Sequence, residues 1–78
     1  MGKLINIEDF ILFITNTLRK KNIHSDTHIL SDLGCDSVDI VTLVVALEDK
    51  YDVNIEEGDI KDILIVQELF KYVIDQIQ

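Results

Sequence analysis

Proline is absent from all 78 residues, and the three glycines fall at positions 2, 34 and 58, between apolar stretches rather than inside them. A chain with so few backbone breaks forms helix wherever its apolar residues recur with a helical period. From Ile7, residues Phe10, Ile11, Ile14 and Leu18 follow at +3, +4, +7 and +11, the stripe of an amphipathic helix. Asn6, three residues before Asp9, is placed to cap its start, and Arg19, Lys20 and Lys21 suit the negative end of its dipole. Ile40, Leu43, Val44, Leu47 and Tyr51 repeat the pattern on a second helix from about Asp36 to Tyr51. A short third helix is expected from about Glu57 to Ile63. Val66, Leu69, Phe70, Val73, Ile74 and Ile77 form the inward stripe of a last helix from about Val66 to Ile77. Residues 22–35, dense in Asn, Ser, Asp and Thr, read as a long loop or a loop with one turn. The short Ile/Val run at 63–66 lacks the alternation of a strand. The expected fold is all-α, a small four-helix bundle of three long helices and one short third helix, in a single domain over residues 1–78.

Such a domain buries only about 60–65% of its unfolded surface, and scaffolds this small often need disulfides or a metal. Cys35 is the single cysteine, so no intramolecular disulfide forms, and a reducing compartment, the cytoplasm, is expected. Hydrophobic residues make up 47% of the chain, too many for a disordered acidic tail. The formal net charge of −8, from 15 acids and 7 bases, argues against nucleic acid and anionic membranes, both of which select Lys and Arg. No apolar run approaches the roughly 20 residues that span a bilayer, and the N-terminus lacks a signal-peptide pattern. A monomer without membrane insertion is the expectation. Residues 1–24 carry four bases against two acids, whereas residues 36–62 carry nine acids against two lysines. A basic partner surface therefore belongs with the middle of the chain.

The second helix has more apolar residues than one core-facing stripe requires. Besides that stripe, Val38, Val41 and Val45 lie at +3 and +7 on a different side. A helix on the edge of a small bundle cannot bury both, so the second set is expected at the surface, flanked by Asp39, Thr42, Glu48 and Asp49. An apolar ridge in an acidic rim is a docking surface by composition. The plainer reading makes Val41 core and the patch too small to matter.

That helix opens with Leu33-Gly34-Cys35-Asp36-Ser37-Val38-Asp39. Gly34 permits the turn, Asp36 serves as N-cap, and Asp39 three residues on favours the positive helix end. Ser37 falls at the first helical position, beside free backbone N–H groups that suit a phosphate. An Asp-Ser pair at a helix start is also a common cap with no further role. Nucleophilic catalysis by Ser37 is not expected, since it needs a base and an orienting group and His24 and His28 are the only histidines.

With the block Leu43-Val44-Val45-Ala46-Leu47-Glu48-Asp49-Lys50-Tyr51-Asp52-Val53-Asn54-Ile55 and the tail Val66-Gln67-Glu68-Leu69 into Tyr72-Val73, this opening resembles the acyl carrier proteins over essentially the whole chain. The resemblance implies a carrier, not an enzyme. Ser37 would receive 4′-phosphopantetheine from coenzyme A through a phosphopantetheinyl transferase, its hydroxyl attacking the β-phosphate to leave a phosphodiester. Asp36 matches the aspartate that helps hold the transferase's Mg²⁺ and positions the serine. Acyl intermediates would travel as thioesters on the arm, most often in type II fatty acid biosynthesis. Val38, Asp39, Val41, Val45, Glu48 and Asp49 match the face presented to basic patches on acyl-transferring and fatty-acid-synthesis enzymes. Leu43, Val44, Leu47, Ile55, Ile60 and Ile63 resemble the pocket that shelters acyl chains, and also read as plain core.

Several residues depart from the pattern. Thr42 stands where fatty-acid-synthesis carriers commonly have Glu, and Val45 replaces a frequent Met. Glu56 follows Ile55 where Pro is usual, Leu64-Ile65 occupies the place of a polar cap, and Ile60 is bulkier than the usual residue. A dedicated carrier of polyketide, nonribosomal peptide or aminoacyl groups is therefore an alternative. An unmodified acidic adaptor binding basic protein surfaces, with Ser37 as a cap only, is the alternative of another class. No metal site is expected. His24 and His28 have ligand spacing only on a helix, and Asp52-x-Asn54-x-Glu56 starts like an EF-hand loop but lacks its Gly and final Glu. Cys35 reads as filling a small apolar slot.

Overall fold

The computed structural model describes residues 5–77. Its elements are α1 (Ile7–Leu18), α2 (Ser37–Tyr51), a 3₁₀ helix (Glu57–Asp62) and α3 (Val66–Ile77). The all-α bundle expected from periodicity is therefore present, its short third helix wound as 3₁₀ rather than α.

Each α-helix turns its stripe inward. Phe10 and Ile14 of α1, Leu43 and Leu47 of α2, and Val66 and Val73 of α3 are fully buried. The Phe10 ring ties all three together, lying 5.9 Å from Tyr51 of α2 and 5.2 Å from Phe70 of α3. Asn6 caps α1 by accepting from the Asp9 N–H at 2.7 Å. At the other end Arg19 adopts the left-handed conformation (φ 57°), and its N–H closes the helix on the Thr15 carbonyl at 2.8 Å. The basic triplet 19–21 thus follows the last turn of α1 instead of lying within it.

The loop between α1 and α2 is not a passive tether. Ile23, Ile29 and Cys35 drop into the core from it. Thr27 is buried with them, its hydroxyl accepting from the His24 N–H at 2.8 Å. The loop then pairs with the chain entering α3. Ile29 donates to the Leu64 carbonyl at 2.9 Å and Val66 to the Thr27 carbonyl at 3.0 Å, forming one antiparallel bridge between His28 and Ile65. The run at 63–66 therefore contributes one bridge and no strand. Gln67 donates to the Ser25 carbonyl at 2.8 Å. Two loop carbonyls thereby cap the free N–H groups that open α3, where Leu64 and Ile65 offer no side-chain acceptor.

Candidate functional site

Gly34 (φ 66°) makes the turn into α2, and a β-carbon there would meet no neighbour within 4 Å, so the backbone angle rather than crowding selects glycine. Asp36 then closes a reciprocal cap with Asp39. The Asp39 N–H reaches Asp36 Oδ1 at 2.9 Å, and the Asp36 N–H reaches Asp39 Oδ2 at 3.2 Å. Ser37 is the first residue of α2 and is exposed. Helix geometry leaves the N–H groups of Ser37 and Val38 outside the internal ladder.

Ser37 stands on the lip of a groove of about 660 Å³ between α2 and the 3₁₀ helix. Leu30, Ile40, Val41, Ile60 and Leu64 give this groove its apolar walls, and Lys61 lies at its edge. Behind Ile40, Ile60 and Leu64 lies an interior void of only about 10 Å³, lined also by Ile29, Leu43, Val44 and Ile63. Of the six residues that resembled an acyl pocket, Leu43, Val44, Ile60 and Ile63 line this void. Leu47 and Ile55 are buried in the core away from its lining. Leu30, Lys61 and Leu64 carry no sequence signal of this site because they belong to the loop, the short helix and the link into α3, where no periodicity points at Ser37.

On the outer side of α2, Val38, Val41 and Val45 are 69%, 58% and 58% exposed. Thr42, also exposed, lies between them in sequence with its hydroxyl donating to the Val38 carbonyl at 2.9 Å. The acids around the ridge are not equivalent. Asp39 is engaged in the cap, and Glu48 accepts from the Ile55 N–H at 2.9 Å, while Asp49 is exposed.

Cys35 is buried beside this helix start. Burial foremost, then Asp39, raises its thiol pKa above the ordinary range, Lys20 offsetting part of the rise and Asp36 adding to it. The thiol is therefore protonated at neutral pH. His28 is occupied in a turn, its Nδ1 accepting from the Ser31 N–H at 3.2 Å. No group of three His, Cys, Asp or Glu side chains is arranged to hold a metal among the described residues. No described helix is long and apolar enough to cross a membrane.

Comparison with known proteins gives this geometry a family. The phosphopantetheine attachment site family matches residues 15–73. An acyl carrier protein of Syntrophobacter fumaroxidans is 42% identical over 53 residues, covering 68% of this chain and 65% of that protein. One from Campylobacter lari is 40% identical over 48 residues, 62% of each chain, and one from Cyanidium caldarium is 37% identical over 60 residues, 77% of this chain and 70% of the relative. The chain thus spans slightly under two thirds of the first two relatives' length. It belongs to the phosphopantetheine-attachment family, among its acyl carrier proteins. Members of this family carry a covalent 4′-phosphopantetheine and are carriers rather than catalysts.

Proposed function

We propose that this protein carries acyl intermediates of type II fatty acid biosynthesis on a 4′-phosphopantetheine arm attached to Ser37. The observation that carries the reading is an exposed serine at a helix start, on the lip of an apolar groove. The Ser37 hydroxyl attacks the β-phosphorus of coenzyme A, the bond to the departing 3′,5′-adenosine bisphosphate breaks, and the hydroxyl proton passes to the transferase. Asp36 holds the helix start in place and offers a carboxylate to the transferase's Mg²⁺. The N–H groups of Ser37 and Val38 favour the phosphodiester charge that results. When attached, the arm supplies a thiol that holds the acyl group as a thioester. Tethering lets successive enzymes meet that group at high effective concentration.

Leu30, Ile40, Val41, Ile60 and Leu64 suit an aliphatic cargo better than a charged aminoacyl group, which favours fatty acid synthesis over an aminoacyl pathway. Val38, Val41 and Val45, with Asp39, Glu48 and Asp49 around them, form the face for the transferase and for acyl-handling enzymes with basic patches. The domain acts as a monomer in the cytoplasm.

The test is the intact mass before and after incubation with coenzyme A, Mg²⁺ and a broad-specificity phosphopantetheinyl transferase. The expected result is a gain of one phosphopantetheine that maps to Ser37 and is absent from Ser37→Ala. A folded, unmodified protein that gains nothing with several transferases would instead be an acidic adaptor.

A further inference from the structure

The interior void of about 10 Å³ is at the limit of what one water molecule needs, roughly 10–15 Å³. No aliphatic chain fits there until a wall moves. Most of its lining comes from α2, α3 and the buried loop residue Ile29, all packed through the core. The remaining wall is the 3₁₀ helix, which contributes Ile60 and carries no fully buried residue, with Ile63 and Leu64 just after it, the Leu64 carbonyl accepting from the Ile29 N–H. It is the wall with the least apolar anchorage.

Polar ties from α3 hold that wall instead. The Tyr72 hydroxyl accepts from the Glu56 N–H at 3.2 Å and donates to Asp59 Oδ2 at 3.0 Å. One turn further along α3, Gln76 exchanges two hydrogen bonds with Asn54: the Asn54 N–H reaches Oε1 at 2.8 Å, and Nε2 reaches the Asn54 carbonyl at 2.6 Å. Asn54 Nδ2 also reaches Glu56 Oε1 at 3.0 Å, bracing the segment between the two anchors. A proline at 56 has no N–H to give, so the Tyr72 contact exists because Glu56 stands there. These bonds lie at the exposed surface, where water replaces each at small cost. They can release the wall without disturbing the buried core.

We infer that Tyr72 and Gln76 form a latch on the 3₁₀ wall and act as positioning residues that set how long an acyl chain the interior admits. The inference rests on the reading that the cargo is an acyl chain sheltered between α2 and the 3₁₀ helix. The test loads the holo protein with a homologous series of saturated chains from butanoyl to hexadecanoyl. The rate of thioester cleavage by hydroxylamine is then measured for each. Wild type shows protection that grows with chain length and then fails; Tyr72→Phe moves the failure point to longer chains. Asp59→Asn keeps an acceptor for the hydroxyl and leaves the profile in place. Amide exchange at Glu56 accelerates about fivefold in Tyr72→Phe, the factor for losing one exposed hydrogen bond. If Tyr72→Phe folds poorly, Gln76→Ala is read in the same way. A wild-type profile that neither variant shifts overturns the latch alone. Cleavage independent of chain length in wild type overturns the sheltered-chain reading and the latch with it.

Discussion

The Val66 N–H donates to the Thr27 carbonyl at 3.0 Å, so the first turn of the last helix is capped in part by a loop nearly forty residues upstream. Gln67 does the same with Ser25. This makes the loop conformation a condition for α3 starting where it does. The loop is held by the Thr27 hydroxyl, which is buried and accepts from the His24 N–H. Thr27→Val keeps the shape and removes that acceptor. It is expected to cost about 0.5–1.5 kcal/mol, the net worth of one part-buried hydrogen bond, in urea unfolding. Amide exchange at Val66 and Gln67 should rise more than exchange at Leu47, which sits in the core of α2. Uniform acceleration at all three would show global destabilisation without any particular role for the cap.

The extent to which this was legible in the sequence follows from range. Helix α3 was readable from Val66, Leu69 and Val73 because their spacing is local, and the Asp36–Asp39 cap was readable for the same reason. The partners of Ser25 and Thr27 were not, since a carbonyl is the same at every residue and leaves no trace in side-chain identity. Ile23 and Ile29 lie in the segment 22–35, which has no helical period, and only the packed structure puts them in the core. Around Ser37, the sequence assigns Ile40 to the core stripe and Val41 to the docking ridge, and only their placement in the fold makes them walls of the groove. Leu30, Lys61 and Leu64 reach it through tertiary placement alone. Likewise Glu48, a docking acid by sequence, also holds the Ile55 N–H.

Ser37 and Asp36 separate loading from folding. The cap belongs to Asp36, whose carboxylate takes the Asp39 N–H, while no side-chain cap depends on Ser37. Ser37→Ala is expected to abolish the phosphopantetheine mass gain at a cost below about 0.5–1 kcal/mol. Asp36→Ala should cost about 1 kcal/mol and slow loading as well. Urea denaturation beside mass spectrometry gives both quantities. A large stability loss in Ser37→Ala with loading retained at another residue contradicts the assignment.

The outer face of α2 divides its residues by task. Val45 is 58% exposed and lies outside the groove lining, so Val45→Glu should change stability by less than about 0.5 kcal/mol while weakening acyl transfer to partner enzymes. Glu48 poses the sharper question, because its carboxylate already serves Ile55. Glu48→Gln keeps an acceptor for that N–H and removes the charge; Glu48→Ala removes both. If the charge steers docking, Glu48→Gln lowers the association rate with a basic partner most at low salt and leaves the melting temperature alone. Equal rates for Glu48→Gln and wild type, with only Glu48→Ala impaired, would assign the residue to folding.

Two buried groups make alkaline stability predictable in sign. Desolvation raises the pKa of the Tyr51 phenol, reinforced by Asp9, and burial likewise raises that of the Cys35 thiol. Both are neutral when protonated, so the folded protein holds these protons more tightly than the unfolded chain does. Their contribution is complete below the ordinary thiol and phenol values of 9.0 and 10.0, and is lost as pH rises through the higher folded values. Stability is therefore expected to fall above about pH 9, with no loss from these groups between pH 6 and 8. Tyr51 Oη is buried with no hydrogen-bond partner among the described residues, whereas its ring packs on Phe10 and Phe13 beneath the Lys50 ammonium. Tyr51→Phe keeps the ring and removes the unpaired hydroxyl. It should leave neutral-pH stability unchanged or raise it by about 1 kcal/mol, and it should flatten the alkaline decline. Urea midpoints across pH 7 to 11 for both proteins decide the matter: a destabilised Tyr51→Phe with an unchanged alkaline slope means that the hydroxyl has a partner and that another group titrates.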